Sequence, residues 1–221
     1  MTYLILILLL IIFLLAFVVI TPKFRLLKRP TNLLASGFIK AKIDLAIRVF
    51  AHSFSVSFPL MVFDFLSVSE AIIYNSVFIL LALLIKPDVR INENADLMMT
   101  KGIIKNVVSI HLVNPYQNFT KKTYSELLKI VETLPHHGIK TIYLSSPMFY
   151  LSDGTLRDFS LLEKLLMKKG ATITSYEAKQ YSFLLQKINL LIRSNREKLN
   201  KIKLNKWHII KISLGVNKCQ E

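Results

Sequence analysis

Asn114, Ser145, Ser146 and Asp153, together with His111, are the residues of this chain whose types could do chemistry in combination. A serine hydroxyl attacks a carbonyl only when a general base takes its proton, and His111 is the candidate base for Ser145 or Ser146. Neither serine stands in a G-x-S-x-G elbow, the sharp strand-to-helix turn that lifts a nucleophile clear of an α/β sheet. Asn, Ser and Asp are also ordinary turn and helix-cap residues. The sequence therefore reads as non-catalytic, with Asn114, Ser145, Ser146 and Asp153 in loops that recognise a partner.

Cofactor signatures are missing as well. A phosphate-cradling loop needs glycines so that backbone N–H groups can approach the ligand, yet the chain has six Gly and neither G-x-G-x-x-G nor G-x-x-x-x-G-K-[ST]. No cofactor is expected. His136 and His137 are adjacent at a helix end, where neighbouring side chains face different ways, so their simpler role is a positive group at a helix C-terminus rather than a metal site. The one cysteine, Cys219, rules out an internal disulfide framework and a Cys-rich zinc site.

Charge carries more information. The formal net charge is +15, and residues 187 to 218 hold nine Lys or Arg against one Glu. Most of these fall on a helix expected over Gln180 to Lys206, with Leu184, Leu185, Ile188, Leu191, Leu199 and Ile202 as its apolar stripe. Lys187, Arg193, Arg196, Lys201 and Lys203 are the candidates for binding anionic lipid or an acidic protein. Nucleic acid is the less favoured partner.

The elements that must position these groups alternate. Strands are expected at Asn106 to Val113, Ile139 to Ser146, Ala171 to Glu177 and Trp207 to Leu214. Between them lie helices over Thr120 to Leu134, with Thr123 and Glu126 as a capping box, and over Thr155 to Gly170. Such alternation implies β-α-β units and a small three-layer, parallel-sheet α/β domain, flavodoxin-like or Rossmann-like, over residues 106–221. Residues 86–105 read as a linker.

The first 85 residues read as a membrane region. Overall, 52% of residues are apolar, with mean hydropathy +0.45. Residues 3–20 carry no charge, and a helix there is about 27 Å long against a hydrocarbon core of about 30 Å. A cleaved signal peptide would want a basic stretch before this run and a small-x-small site after it; "MTY" and "VVITPKF" stand there instead. Residues 45–85 are read as a helical hairpin, with segments 45–66 and 68–85. Its polar residues Asp44, Arg48 and His52, spaced four apart, are read as one stripe facing the bundle. Residues 21–42 contain six Lys or Arg and no Asp or Glu. Short basic loops stay on the cytoplasmic side, which puts the N-terminus outside and residues 106–221 in the cytoplasm, whether the 45–85 hairpin crosses the inner membrane completely or only dips into it.

Greasy N-terminal anchors and a small basic α/β domain without catalytic signatures, in about 220 residues, resemble the entry-exclusion proteins of conjugative plasmids. That resemblance implies an inner-membrane protein that blocks redundant plasmid transfer by recognising a component of the donor's conjugation apparatus. It is one of plan, and it assigns no residue a role. The alternatives are a membrane-tethered enzyme using the strand-end residues near Ser145 and Asp153, and a membrane-bound nucleic-acid-binding protein.

Overall fold

The computed structural model describes residues 2–26, 31–102, 106–114, 117, 119–151, 153–179, 183, 187–188, 191 and 205–214. They fall into two compact units, Met1–Val89 and Arg90–Glu221.

The first unit is helical: α1 spans Thr2–Ile20, α2 Gly37–Val62 and α3 Val68–Leu84. The last carbonyls of a helix have no partner within it. At the end of α1, Arg25 supplies one, donating from Nε to Val19 O at 2.9 Å and from its second guanidinium nitrogen to Ile20 O at 2.7 Å. A cation at a helix C-terminus also complements the dipole. Part of the basic stretch is thus a helix cap. Arg48, buried on α2, donates from Nε to Lys23 O at 3.0 Å, and His52 Nδ1 lies 2.8 Å from Arg48 O. Arg48 and His52 of the predicted stripe therefore meet backbone carbonyls. A capping box opens α3: Ser67 N donates to Glu70 Oε2 at 2.8 Å, and Glu70 N donates to Ser67 Oγ at 3.3 Å.

Between α2 and α3 lies a buried polar seam. Ser53 Oγ donates to Asn75 Oδ1 at 2.7 Å, while Asn75 Nδ2 donates to Ser57 Oγ at 2.8 Å and to Ala71 O at 2.7 Å. Small hydroxyl residues let two helices approach closely, and the amide with its oxygen and both N–H groups used sets their register. Two short strands, β1 (Asn32–Leu33) and β2 (Asp88–Arg90), are linked by Asn32 Nδ2 donating to Asp88 O at 3.2 Å.

The second unit holds β3 (Leu97–Lys101), β4 (Val107–Leu112), α4 (Lys121–Thr133), β5 (Thr141–Ser146), α5 (Ser160–Met167), β6 (Ala171–Glu177) and β7 (His208–Leu214). Within this unit the strands lie in the order β3-β4-β5-β7-β6. The sheet is mixed, which corrects the parallel-sheet expectation. Among β3 to β7, β4 and β5, joined through α4, form the parallel pair; β3 runs antiparallel to β4, and β7 runs antiparallel to both β5 and β6. The chain reaches β6 before β7 but inserts β7 between β5 and β6, so the last strand reverses the sheet's direction.

Alternation along each strand builds the core. Val108, Ile142, Ile212 and Ile173 form one row across four strands, and Ile110, Leu144 and Ile210 form the next. Leu127, Ile130 and Val131 of α4 and Leu162 and Leu166 of α5 are buried too. The two helices touch one another and so share one layer. Among the described residues the domain is thus one helix layer on a sheet, not the three layers expected.

Three further expectations are corrected. The supposed linker 86–105 contains β2 and β3. The helix expected over Thr155 to Gly170 is confined to α5, because Tyr150 and Leu156 pair across a short bridge and Asp158 Oδ1 accepts from Ser160 N at 2.8 Å. The cap of α4 is Thr120 with Thr123, each backbone N–H meeting the other's hydroxyl. Glu126 is used elsewhere: its Oε2 accepts from Asp96 N at 2.8 Å and from Leu97 N at 3.1 Å, tying α4 to the start of β3. Lys122, one turn earlier, donates to Asp96 Oδ1 at 3.0 Å and stands 3.7 Å from Glu126 Oε1.

Glu126→Ala leaves two amides at the start of β3 without their acceptor, and should destabilise the second unit by about 3 kcal/mol. Glu126→Gln keeps one acceptor oxygen and should lose less. Urea unfolding of the full chain followed at Trp207 checks both values.

Candidate functional site

In open α/β sheets the ligand crevice lies beyond the carboxyl ends of the parallel strands. Here the end of β5 and the end of β6 flank the start of β7, and the register sets Ser146, His208 and Glu177 in one row across the three strands. Ser145, the adjacent residue, pairs with Ile209. Successive strand residues point to opposite faces. The two serines are therefore separated by the sheet, Ser146 on the core face and Ser145 on the other. His111 lies one step beyond the registered pair Ile110 and Leu144, on Ser145's face.

His208 is 6% exposed and faces the same way as buried Ile210, Ile212 and Leu214. Three aromatic rings enclose it. Phe159 lies nearly parallel at 6.1 Å between centroids and 9°, while Phe149 at 6.5 Å and Tyr150 at 6.0 Å stand edge-on. Both ring nitrogens are buried without a hydrogen-bond partner. Burial depresses the His208 pKa, with the Glu177 carboxylate opposing the shift. Burial likewise raises the Tyr150 phenol, and Glu177 adds to that. Lys206 Nζ sits 5.8 Å from the Tyr150 ring centroid, a cation over an aromatic face. Beside it, Trp207 is buried and stacks on Phe183 at 4.7 Å and 8°.

A serine, a histidine and a carboxylate in one row have the order of a hydrolytic triad. The geometry does not assemble one, because a relay needs the base bonded to both neighbours and His208 is bonded to neither. What the row and its rings form is a closed aromatic box at the strand ends.

The other predicted residues are placed as follows. Asn114 follows β4, and its carbonyl accepts from Gln117 N at 3.1 Å in a turn. Asp153 closes a turn of its own, Oδ1 accepting from Thr155 N at 2.8 Å and from Thr155 Oγ1 at 2.7 Å, with Gly154 in the left-handed region at φ 89°. Ser146 and Asp153 thus bracket the segment that carries Phe149 and Tyr150, whereas Asn114 belongs to a different strand end. Lys187 is half-buried, with its backbone N–H on Phe183 O at 2.9 Å; Arg193, Arg196, Lys201 and Lys203 lie outside the described residues. His136 and His137 end a 3₁₀ turn, Leu134–His137, closed by Gly138 at φ 70°.

His208, Phe149, Tyr150 and Phe159 were missed as a set. For His208 the signal was present: in "HIIKISL" strict alternation puts the histidine on the face of Ile210, Ile212 and Leu214. The rings come from a segment with no periodicity and could not be read the same way. Among the described residues there is no cluster of three metal-ligating side chains. The first unit has an apolar cleft of about 260 Å³ lined by Phe50, Phe54, Phe58, Met61, Ile72 and Ile79, with Ser57 and Asn75 bonded to each other at its wall.

Comparison with protein-family models, with curated proteins and with solved structures finds no match to this chain.

Since His208 is not positioned to activate Ser146, a fluorophosphonate probe is expected to leave the protein unlabelled, and Ser146→Ala should not change that result. Covalent labelling at Ser146, read by mass spectrometry, would show that the relay assembles.

Proposed function

We propose that this chain is a non-catalytic protein of the inner membrane, anchored by its first unit and acting through recognition of another protein by its second. The observation that carries the reading is where the first unit puts its apolar side chains. Leu4 and Phe13 are each 67% exposed, Ile39 77%, Ile72 62% and Leu84 71%. In a soluble protein a long apolar helix survives by being buried, whereas only 11% of the Tyr3–Ile20 window and 33% of the Leu34–Val62 window are. Side chains of this kind gain about 1.5 to 3 kcal/mol each on leaving water. A bilayer supplies that environment to α1 and α2. The 17-residue α3, about 25 Å long, completes a hairpin.

The basic residues 21–42 then belong on the cytoplasmic side, with the N-terminus outside and the second unit in the cytoplasm. Support for recognition rather than catalysis comes from the strand-end site, where Asp153 closes a turn and His208 is sealed among rings. The loops Asn114 to Thr120 and Pro147 to Asp153 are the proposed contact surfaces, since a rigid sheet positions such loops while their side chains are free to vary. The most concrete form of this function is exclusion of redundant conjugative transfer, with a component of the conjugation apparatus as partner. Lys187 and the basic residues after it would add attraction to anionic lipid or to an acidic surface.

Two measurements test this reading. An alkaline phosphatase fusion after Glu221 is expected to be inactive in a bacterial host, and an active fusion would overturn the orientation. Expression of the gene alone in a recipient is expected to lower acquisition of the cognate conjugative element and spare unrelated ones. Ser145→Ala and Asp153→Asn should keep that effect, because no turnover is involved; absence of exclusion against any element by the wild type removes the functional assignment.

A further inference from the structure

The aromatic box around His208 has a property that partner recognition leaves unused. A buried imidazole with neither nitrogen bonded is tolerated only while neutral, since its cation would have lost its hydration and gained no acceptor. The charged and titratable groups facing it decide how strongly a proton is resisted. From the segment after β5 comes the Tyr150 phenol, and from β5 the neutral Ser146. From β6 comes Glu177, which is exposed, so solvent screens its attraction. Lys206, over the Tyr150 ring, adds a like charge, and Asp158, beside Phe159, is already engaged by Ser160 N and Oγ. None of these compensates a buried imidazolium in place.

We infer that His208 is a pH-sensitive latch on the strand-end segment. Neutral, it holds residues 149–150 and 159 against the ends of β5 and β6 through its contacts with Phe149, Tyr150 and Phe159. Protonated, it must reach water or an acceptor, which it does by parting from those rings and releasing the segment. The loop freed in this way contains Pro147 to Asp153, so acid would change the surface offered to a partner. The latch does not depend on which partner that is, and it would stand if the exclusion assay failed.

The sign follows from linkage. Burial lowers the pKa in the closed form below that of the open form, so the open form binds the proton more tightly, and closure is favoured at high pH. The histidine's contribution to closure is full above the ordinary histidine value of about 6.5 and is lost as pH falls through it toward the depressed value. Between pH 7.5 and 5.5 the open population should rise by up to about tenfold, the factor for one proton bound by the open form alone.

The experiment uses the full chain in detergent micelles. Trp207 is the sole tryptophan, adjacent to His208 and buried. Acrylamide quenching of its emission should increase on going from pH 7.5 to 5.5. Deuterium uptake in 147–159, corrected for intrinsic exchange, should rise by up to about tenfold, while 121–133 in α4 stays constant. His208→Phe keeps a ring in the box and removes the titration; both responses should vanish. A response that persists in His208→Phe, or that disappears instead in the double change His136→Gln and His137→Gln, overturns the latch. If His208→Phe fails to fold, the wild-type exchange decides alone: equal protection of 147–159 at the two pH values overturns it.

Discussion

The carboxylate of Glu126 joins the helix layer of the second unit to its sheet. It reaches from the inner face of α4 to the amide of Leu97, the first of β3, and to that of Asp96 just before it, which would otherwise lack this acceptor. Hydrogen bonds to an ionised acceptor are about twice as strong as neutral ones, and this carboxylate makes two. By fixing where β3 begins, it sets the register in which Leu97 faces Leu112 and Met99 faces Ile110. The polar contact and the apolar rows therefore depend on each other, since a shift of β3 by one residue would turn its buried side chains to the opposite face.

At the other end of the sheet the balance is struck differently. His208 occupies a core position on β7, where a leucine or phenylalanine would pack without penalty, and both of its nitrogens go unbonded. A polar group kept at such cost is usually held for something other than stability. The aromatic rings recover part of the cost through packing, and they come from the loop that the strand ends present outward. The core position and the loop surface are thereby tied to one side chain.

The first unit meets its buried polar groups largely with internal hydrogen bonds. Asn75 between α2 and α3 uses its oxygen and both N–H groups, and Arg25 and Arg48 spend guanidinium hydrogens on backbone carbonyls near the end of α1. On the proposed reading these helices have lipid around them, and hydrocarbon offers unbonded polar groups nothing. Much of the exposed surface of α1, α2 and α3 is Leu, Ile, Val and Phe.

Much of this was legible in the residues. An uncharged run of eighteen gives α1, alternation gives β4, β5, β6 and β7, and helical spacing gives α4, because each pattern records which side of an element is apolar. Strand β3 escaped because "LMMTK" lacks the β-branched run that marks a strand, and its strand state comes from pairing with β4 and from Glu126. Strand order escaped for a related reason. Alternating strands and helices are compatible with parallel and mixed sheets alike, and nothing local in β7 says that it will slot between β5 and β6 rather than at an edge. Its all-apolar inner face, from Ile210 to Leu214, is satisfied only by neighbours on both sides, and those neighbours are distant in sequence. The aromatic box is the clearest case. Alternation alone put His208 on the buried face, but the rings that enclose it arrive from a segment without period, so the histidine's unbonded state was decided by tertiary packing.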